Sequence, residues 1–433
     1  MNFGKLSIKK HKLVIGGCDA SALAAEFGTP LYVFDVDCAV DTAKSYVNVL
    51  KREYPNSTVC YASKAFCCTG IYSLLSPLGL GADVVSGGEL YTAVKGGMSA
   101  DKIYFHGNNK TEKEIVYAIE QGINCFVADS ERELSLIDKH ADKPQNVMIR
   151  VNPGVEAHTH RFIQTTLTDS KFGFSIADGT AEQIIRSLSD YKNIKFVGIA
   201  CHIGSQIFEP QSFELAIDKM TDFIVKLNSL GIAAERLDLG GGYGIHYIEQ
   251  DKPLTPEQYM ANTVKYLKDS VSRKNIAAPH LIVEPGRSIV GEAGVTLYTV
   301  GAIKRIKYIK TYAAVDGGMF DNPRVSLYDA QYTAVVCDRA DAEATDVYSI
   351  AGKCCESGDV LIDGIKLPEL KSGDVLAVLS TGAYHYSMAS NYNRNAVPPV
   401  VAVKDGRADY MVKPQTFEDM ARNDVIPFAE GKL

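Results

Sequence analysis

Short apolar runs recur through the first two thirds of the chain, at residues 59–61, 82–85, 103–105, 125–128, 147–151, 196–201, 236–239 and 281–283. Stretches long enough for a helix separate them. Near-continuous apolar runs fit strands buried on both faces, and eight of them alternating with crossovers predict a parallel (β/α)8 TIM barrel. Residues 59–66 read as the first strand, delivering Lys64 at its carboxyl end. Before it, residues 12–17 and 31–35 are β-like around a helical patch at 20–27. After Val290 the pattern changes to short β-branched, Gly-punctuated runs at 295–300, 312–315, 359–362 and 375–379. These predict a C-terminal antiparallel β domain. The α/β chain therefore divides into a barrel over 38–289 and a β domain built from 1–37 plus 290–433.

The polar residues that end the apolar runs add a functional reading. In order they are Lys64, Ser86 with Glu89, His106 with Asn108 and Asn109, Asp129, Arg150 with Asn152, His202 with Ser205, Gly240 to Gly242, and Glu284 with Arg287. In a barrel all strand carboxyl ends open on one face, so residues far apart in sequence converge on one pocket.

Composition narrows the classes. With 433 residues, 46% hydrophobic and 22% charged, the chain is long enough for two cores and is not of disordered composition. A formal net charge of -7 without a Lys/Arg cluster argues against nucleic acid as a partner. No apolar run reaches membrane-spanning length, and the N-terminus lacks the apolar core of a signal peptide, so a cytoplasmic protein is expected. Ten scattered cysteines, two pairs of them adjacent, read as free thiols with neither zinc nor disulfide spacing.

Chemistry enters with individual motifs. A lysine freed of its proton by desolvation is a Schiff-base nucleophile, although Lys64 equally fits a strand that stops at Ser63 with its amine in water. The glycines from Gly240 to Gly244 follow a strand, where backbone N–H groups can close on a phosphate or simply make a tight turn. They do not form a dinucleotide fingerprint, because position 245 is Ile. Glu284 and Arg287 are costly to bury without a ligand or each other. Cys355 and Glu356 share one turn, Tyr384 follows a strand, and Arg324 and Tyr328 are four apart, close enough to face one ligand on a helix. Lysine, glycine loop, acid and imidazole together describe pyridoxal phosphate chemistry, which calls for no metal.

The segments YASKAF, GADVVSGGEL, FHGNNKT, RVNPGVEAHTH, DSKFGF, CHIGSQ, LDLGGGYGI, EPGRSIV, CESGDV and TGAYHYSMASNYN closely resemble the meso-diaminopimelate decarboxylase family, within the alanine-racemase-like fold type of pyridoxal phosphate enzymes. The resemblance covers residues 30 to 400. It implies a head-to-tail homodimer with shared active sites, acting on a small-molecule substrate, meso-diaminopimelate, to give L-lysine. By the family pattern Lys64 is the cofactor lysine, His202 stacks on the ring and Glu284 pairs with its nitrogen. Ser205, Gly241, Gly242, Gly286, Arg287 and the Tyr384 hydroxyl hold the phosphate end. Arg287, Arg324 and Tyr328, with Tyr384 alongside, grip the distal end of the substrate. Glu356, lent to a second copy, meets the distal ammonium, and Cys355 from the same turn is the proton donor. Phe66, where family members often carry Asn, and Cys67-Cys68 beside it depart from the pattern and imply local repacking. Rival readings are a decarboxylase of ornithine, arginine or carboxynorspermidine, and a non-catalytic pyridoxal phosphate-binding homologue.

Overall fold

The computed structural model describes residues 3–155 and 170–427 and separates into two compact units, Asp37–Glu292 and Met1–Val36 with Ala293–Leu433. In the first unit eight strands form a closed parallel ring: β1 (Ser57–Ala62), β2 (Gly81–Val84), β3 (Ile103–Phe105), β4 (Cys125–Ala128), β5 (Gln145–Asn152), β6 (Ile194–Ala200), β7 (Arg236–Asp238) and β8 (His280–Val283). Closure is made by β8 on β1, with Leu281, Ile282 and Val283 opposite Ser57, Thr58 and Val59. A closed ring has no edge strand with unpaired backbone groups. Cys60, Tyr104, Val127, Met148, Val197, Ala200 and Ile282 form one buried cluster drawn from strands around the ring. Parts of RVNPGVEAHTH and DSKFGF lie outside the described residues.

The strand boundaries modify one expectation. β1 stops at Ala62, and Ser63–Ala65 form a single 3-10 turn on which Lys64 is exposed. Desolvation is therefore not a property of this lysine in the chain alone.

Several of the rim residues serve the helices instead of the pocket. Ser86 accepts from Glu89 N–H at 3.2 Å as the N-cap of Gly87–Lys95, while Glu89 accepts from Val85 N–H at 2.7 Å. Thr111 and Glu114 form a capping box on Glu112–Gln121, and Ser130 caps Glu131–His140. Between these loops the buried Lys110 ammonium lies 3.2 Å from Glu133 and donates to the Gly107 and Val127 carbonyls at 2.9 and 2.7 Å. Glu133 also accepts from the Lys110 and Asp129 N–H groups at 2.9 Å each. The pair stitches the loop after β3 to the loop after β4, and both charges are fully satisfied.

The second unit is organised on the long strand Gly294–Ile306, which pairs antiparallel with Leu31–Asp35, Lys310–Val315 and Val375–Val378. Two other ladders run parallel: Leu31–Asp35 with Val400–Lys404, and Lys310–Val315 with Asp346–Ala351. The sheet is thus mixed, where local pattern predicted antiparallel pairing throughout. Strand direction relative to a distant partner leaves no trace in a short apolar run. Leu31, Val33, Val295, Leu297, Ala377, Leu379, Val401 and Val403 pack in its core with Leu13 and Ile15 from the N-terminal hairpin. None of the ten cysteines is in a disulfide.

Glu133→Ala leaves the Lys110 charge buried and unpaired, which should cost about 3–5 kcal/mol in chemical denaturation. The exposed pair Arg394–Asp424 provides the control, and Asp424→Ala should leave the unfolding midpoint where it was. Equal, small effects at both sites would contradict the role given to the buried pair.

Candidate active site

One cavity at the carboxyl ends of the barrel strands is lined by Lys64, Asp83, Val85, His106, Arg150, Ala200, Cys201, His202 and Glu284. The residues arrive on separate strands or the turns that follow them: Lys64 after β1, Asp83 on β2, His106 after β3, Arg150 on β5, His202 after β6 and Glu284 after β8. Lys64, His202 and Glu284, singled out in the sequence, are therefore brought together. Asp83 was not singled out, nor was Asp238, which is fully buried at the end of β7. A carboxylate inside an apolar barrel strand is expensive to bury, and that interruption of the pattern was the available signal.

The floor of this cavity is acidic. His106 Nε2 stands 2.7 Å from Glu284 Oε1, 3.7 Å from Asp238 Oδ2 and 4.0 Å from Asp83 Oδ1. Its approach to Glu284 meets the distance of a hydrogen bond but not its angles, and all four atoms are buried without a hydrogen-bond partner. Burial together with the Glu284 charge pushes Asp238 far above the usual carboxylate range and raises Asp83 as well. Burial would raise Glu284 too, but His106, Asp238 and Lys64 outweigh it and hold Glu284 below the ordinary range. Of the three, Glu284 is the acid kept ionised.

The imidazole across the cavity is neutral. Burial first, then the positive Lys64 and Arg150, push His202 well below its ordinary value. Its Nδ1 accepts the Gly241 N–H at 3.2 Å, which fixes the ring and leaves the proton on Nε2.

Beside it lies a corner built for an anion. Arg287 is buried and donates to the Ser205 hydroxyl from Nε at 3.1 Å and from Nη2 at 2.8 Å. Its Nη1 donates to the Tyr247 hydroxyl, a residue no sequence signal marked. The glycine loop packs against this corner with no room for side chains: a Cβ on Gly241 would lie 2.1 Å from the Glu284 carbonyl oxygen. Gly242, at φ +107, would place one 2.4 Å from the Gly204 carbonyl oxygen. Gln206 clamps the arrangement, donating to the Ile245 carbonyl at 2.7 Å and accepting from the Ile245 N–H at 3.2 Å. Gly286 sits against Ala62, and Ala62 N–H donates to the Pro285 carbonyl at 3.2 Å, so the loops after β1 and β8 are tied together.

Arg324, Tyr328, Cys355, Glu356 and Tyr384 belong to the second unit. Arg324 and Tyr328 begin and end one short helix, as their spacing predicted; Arg324 is buried and donates to the Tyr332 hydroxyl. The turn carrying Cys355 and Glu356 is held by Asp359, whose carboxylate accepts from the Met319 N–H at 2.6 Å and the Cys354 N–H at 2.7 Å. Ser326 Oγ reaches the Gly358 carbonyl at 3.5 Å, so helix and turn are neighbours. Cys354 is buried, and burial with the adjacent Asp359 pushes its thiol up to about 11, whereas Cys355 and Glu356 are exposed. Cys355 N–H donates to Asn393 Oδ1 at 2.8 Å. Tyr384 adopts φ +63, unusual for a side-chain-bearing residue and of a kind that clusters at functional sites.

The donor set fits pyridoxal phosphate. An ionised buried carboxylate suits the ring nitrogen, the Arg287–Ser205–glycine corner suits a phosphate, a neutral imidazole suits a ring face, and a primary amine stands in the same cavity.

Comparison with known proteins agrees with this geometry. Residues 41–291 match the model of the pyridoxal-dependent decarboxylase pyridoxal binding domain. The chain is 46% identical to a diaminopimelate decarboxylase of Bacillus subtilis, covering 97% of this chain and 96% of that one. It is also 46% identical to one of Staphylococcus aureus, over 95% and 97% of the two chains. The crystal structure of a diaminopimelate decarboxylase from M. jannaschii in co-complex with L-lysine superposes with a TM-score of 0.91 at 36% identity, over 98% of each chain. With full-length relatives at this identity and a shared two-domain fold, the chain belongs to the diaminopimelate decarboxylase family of pyridoxal-dependent decarboxylases.

Proposed function

We propose that this chain decarboxylates meso-2,6-diaminopimelate to L-lysine and carbon dioxide, the closing step of lysine synthesis, as a cytoplasmic homodimer that uses pyridoxal 5'-phosphate. The observation that carries the reading is the cavity in which Lys64, neutral His202 and ionised Glu284 face one another beside the Arg287–Ser205 corner. Among the described residues no helix is long and apolar enough to cross a membrane.

When bound, pyridoxal phosphate supplies an aldehyde carbon for amines and a ring that accepts the electron pair of the breaking carbon–carboxylate bond. The chain does the rest. Lys64 Nζ would hold the cofactor's aldehyde carbon and would be the amine that the substrate's amine replaces. Glu284 keeps the ring nitrogen protonated and the ring electron-poor. His202 would present an uncharged face to the ring and so add no positive charge against the protonated ring nitrogen. Arg287, Ser205 and the backbone of Gly241, Gly242 and Gly286 anchor the phosphate, with Tyr384 closing that end. Cys355 Sγ would hold the proton that replaces the carboxylate on the substrate carbon.

Selection works at the far end of the substrate. Arg324 and Tyr328 receive the distal carboxylate, and Glu356 receives the distal ammonium, with the Cys355–Glu356 turn lent to the barrel of a second copy. Ornithine and arginine carry no distal carboxylate and would leave the Arg324 guanidinium without that ionic partner.

Offered meso-diaminopimelate, ornithine and arginine in parallel, the holoenzyme should release carbon dioxide and L-lysine in equal amounts from the first and act on the others more slowly by on the order of a hundredfold. Faster release from ornithine, or cofactor uptake without carbon dioxide, contradicts the assignment. Arg324→Ala should raise KM for diaminopimelate by about a hundredfold with the cofactor still bound, and parallel loss of cofactor would remove Arg324 from substrate recognition. In Cys355→Ala the cofactor absorbance should persist while turnover drops by about a hundredfold or more, and Cys354→Ala should stay near wild type. Normal turnover in Cys355→Ala would exclude its thiol as the proton donor.

A further inference from the structure

His106 follows β3 and is 6% exposed. Carboxyl groups from three separate strands approach its Nε2: Glu284 from β8 at 2.7 Å, Asp238 from β7 at 3.7 Å and Asp83 from β2 at 4.0 Å. The reading above uses only Glu284. Three carboxylates this close in a buried setting cannot all remain charged, and nothing about burial alone selects which one does. The ring nitrogen that lies nearest one of them supplies the selection. Lys64, Arg150 and His202 line the same cavity, and His106 is the member whose ring nitrogen groups with carboxylate oxygens of Asp83 and Glu284, all within 4.8 Å of one another.

We propose that His106 is a positioning residue for the cofactor-pairing acid: the close electrostatic contact of its Nε2 with Glu284 Oε1, made without hydrogen-bond angles, places that carboxylate and concentrates the negative charge of the acidic cluster on Glu284. The assignment rests on the pyridoxal phosphate reading and extends it to a residue that reading leaves without a role. The low position of the Glu284 carboxyl, to which His106 contributes, accords with it, while burial and the Glu284 charge raise Asp238 and Asp83. Glu284 pairs with a protonated ring nitrogen only when ionised. Cofactor affinity is therefore present above the Glu284 pKa and lost as pH falls through it, and removing His106 moves that loss to higher pH.

The test titrates wild-type, His106→Ala, His106→Leu and His106→Gln apoproteins with pyridoxal phosphate across the acid and neutral range, following absorbance, and then measures kcat and KM. The alanine and leucine variants should show the acid limb of cofactor affinity moved up by about one pH unit, with about tenfold weaker binding on that limb and little change well above it. Their kcat should fall with KM little changed. His106→Gln keeps a donor for Glu284 and should recover part of the affinity. Leucine retains the bulk of the ring, so it carries the test if the alanine variant does not fold. Wild-type affinity and acid limb in the leucine variant, or leucine and glutamine behaving alike, overturns the assignment alone. A wild-type chain that takes up no pyridoxal phosphate overturns the cofactor reading and this assignment with it.

Discussion

The backbone ladder between the last barrel strand and the first is the contact on which the site depends. Leu281–Val283 lie in register with residues 57–59, and one more rung extends past the strand ends, Ala62 N–H to the Pro285 carbonyl; on its other side β8 is tied to β7 by Glu284 N–H to the Gly240 carbonyl. More than two hundred residues separate Lys64 from Glu284 in the chain, yet closure of the ring sets them in one cavity. A sheet left open at this seam would keep every strand and lose the site. The neighbouring β7–β8 side requires glycine at 241, where a Cβ would lie 2.1 Å from the Glu284 carbonyl oxygen.

Within that frame the chemistry is a matter of charge distribution in a confined space. Lys64 and Arg150 bring positive charge to a cavity lined by Asp83 and Glu284, with Asp238 buried 3.7 Å from His106. The same two cations that help hold His202 neutral are balanced below by one ionised carboxylate, because its two neighbours are driven toward their protonated forms. Low dielectric strengthens each of these couplings. A stack partner without charge and an acid with one are what an electron-accepting ring requires. In the second unit Asp359 does comparable work by geometry: it fixes the turn through two backbone N–H groups, so that Cys354 is buried and its neighbour Cys355 is presented.

The barrel was legible because buried parallel strands write themselves as short apolar runs, and residues 103–105 and 125–128 match their strands to the residue. Side-chain direction was less so. Asp83 and Asp238 sit inside runs read only for their apolar content, and Tyr247 lies in a loop where nothing in the local pattern points to the Arg287 guanidinium. Ser86 and Glu89 looked like pocket residues because helix caps and catalytic groups occupy the same loops and use the same residue types. Lys64 was placed correctly at the mouth for an incomplete reason, since the strand ends two residues earlier and the amine is exposed on a turn. In the second unit, strand existence was readable and strand direction was not, as the two parallel ladders show.

The central claim is that ring closure delivers one particular amine to the cofactor. Borohydride reduction of the holoprotein followed by peptide mapping tests it most directly. The account predicts a stable phosphopyridoxyl group on the peptide that contains Lys64 and on no other lysine; a label elsewhere, or a holoprotein from which borohydride fixes nothing, would contradict it.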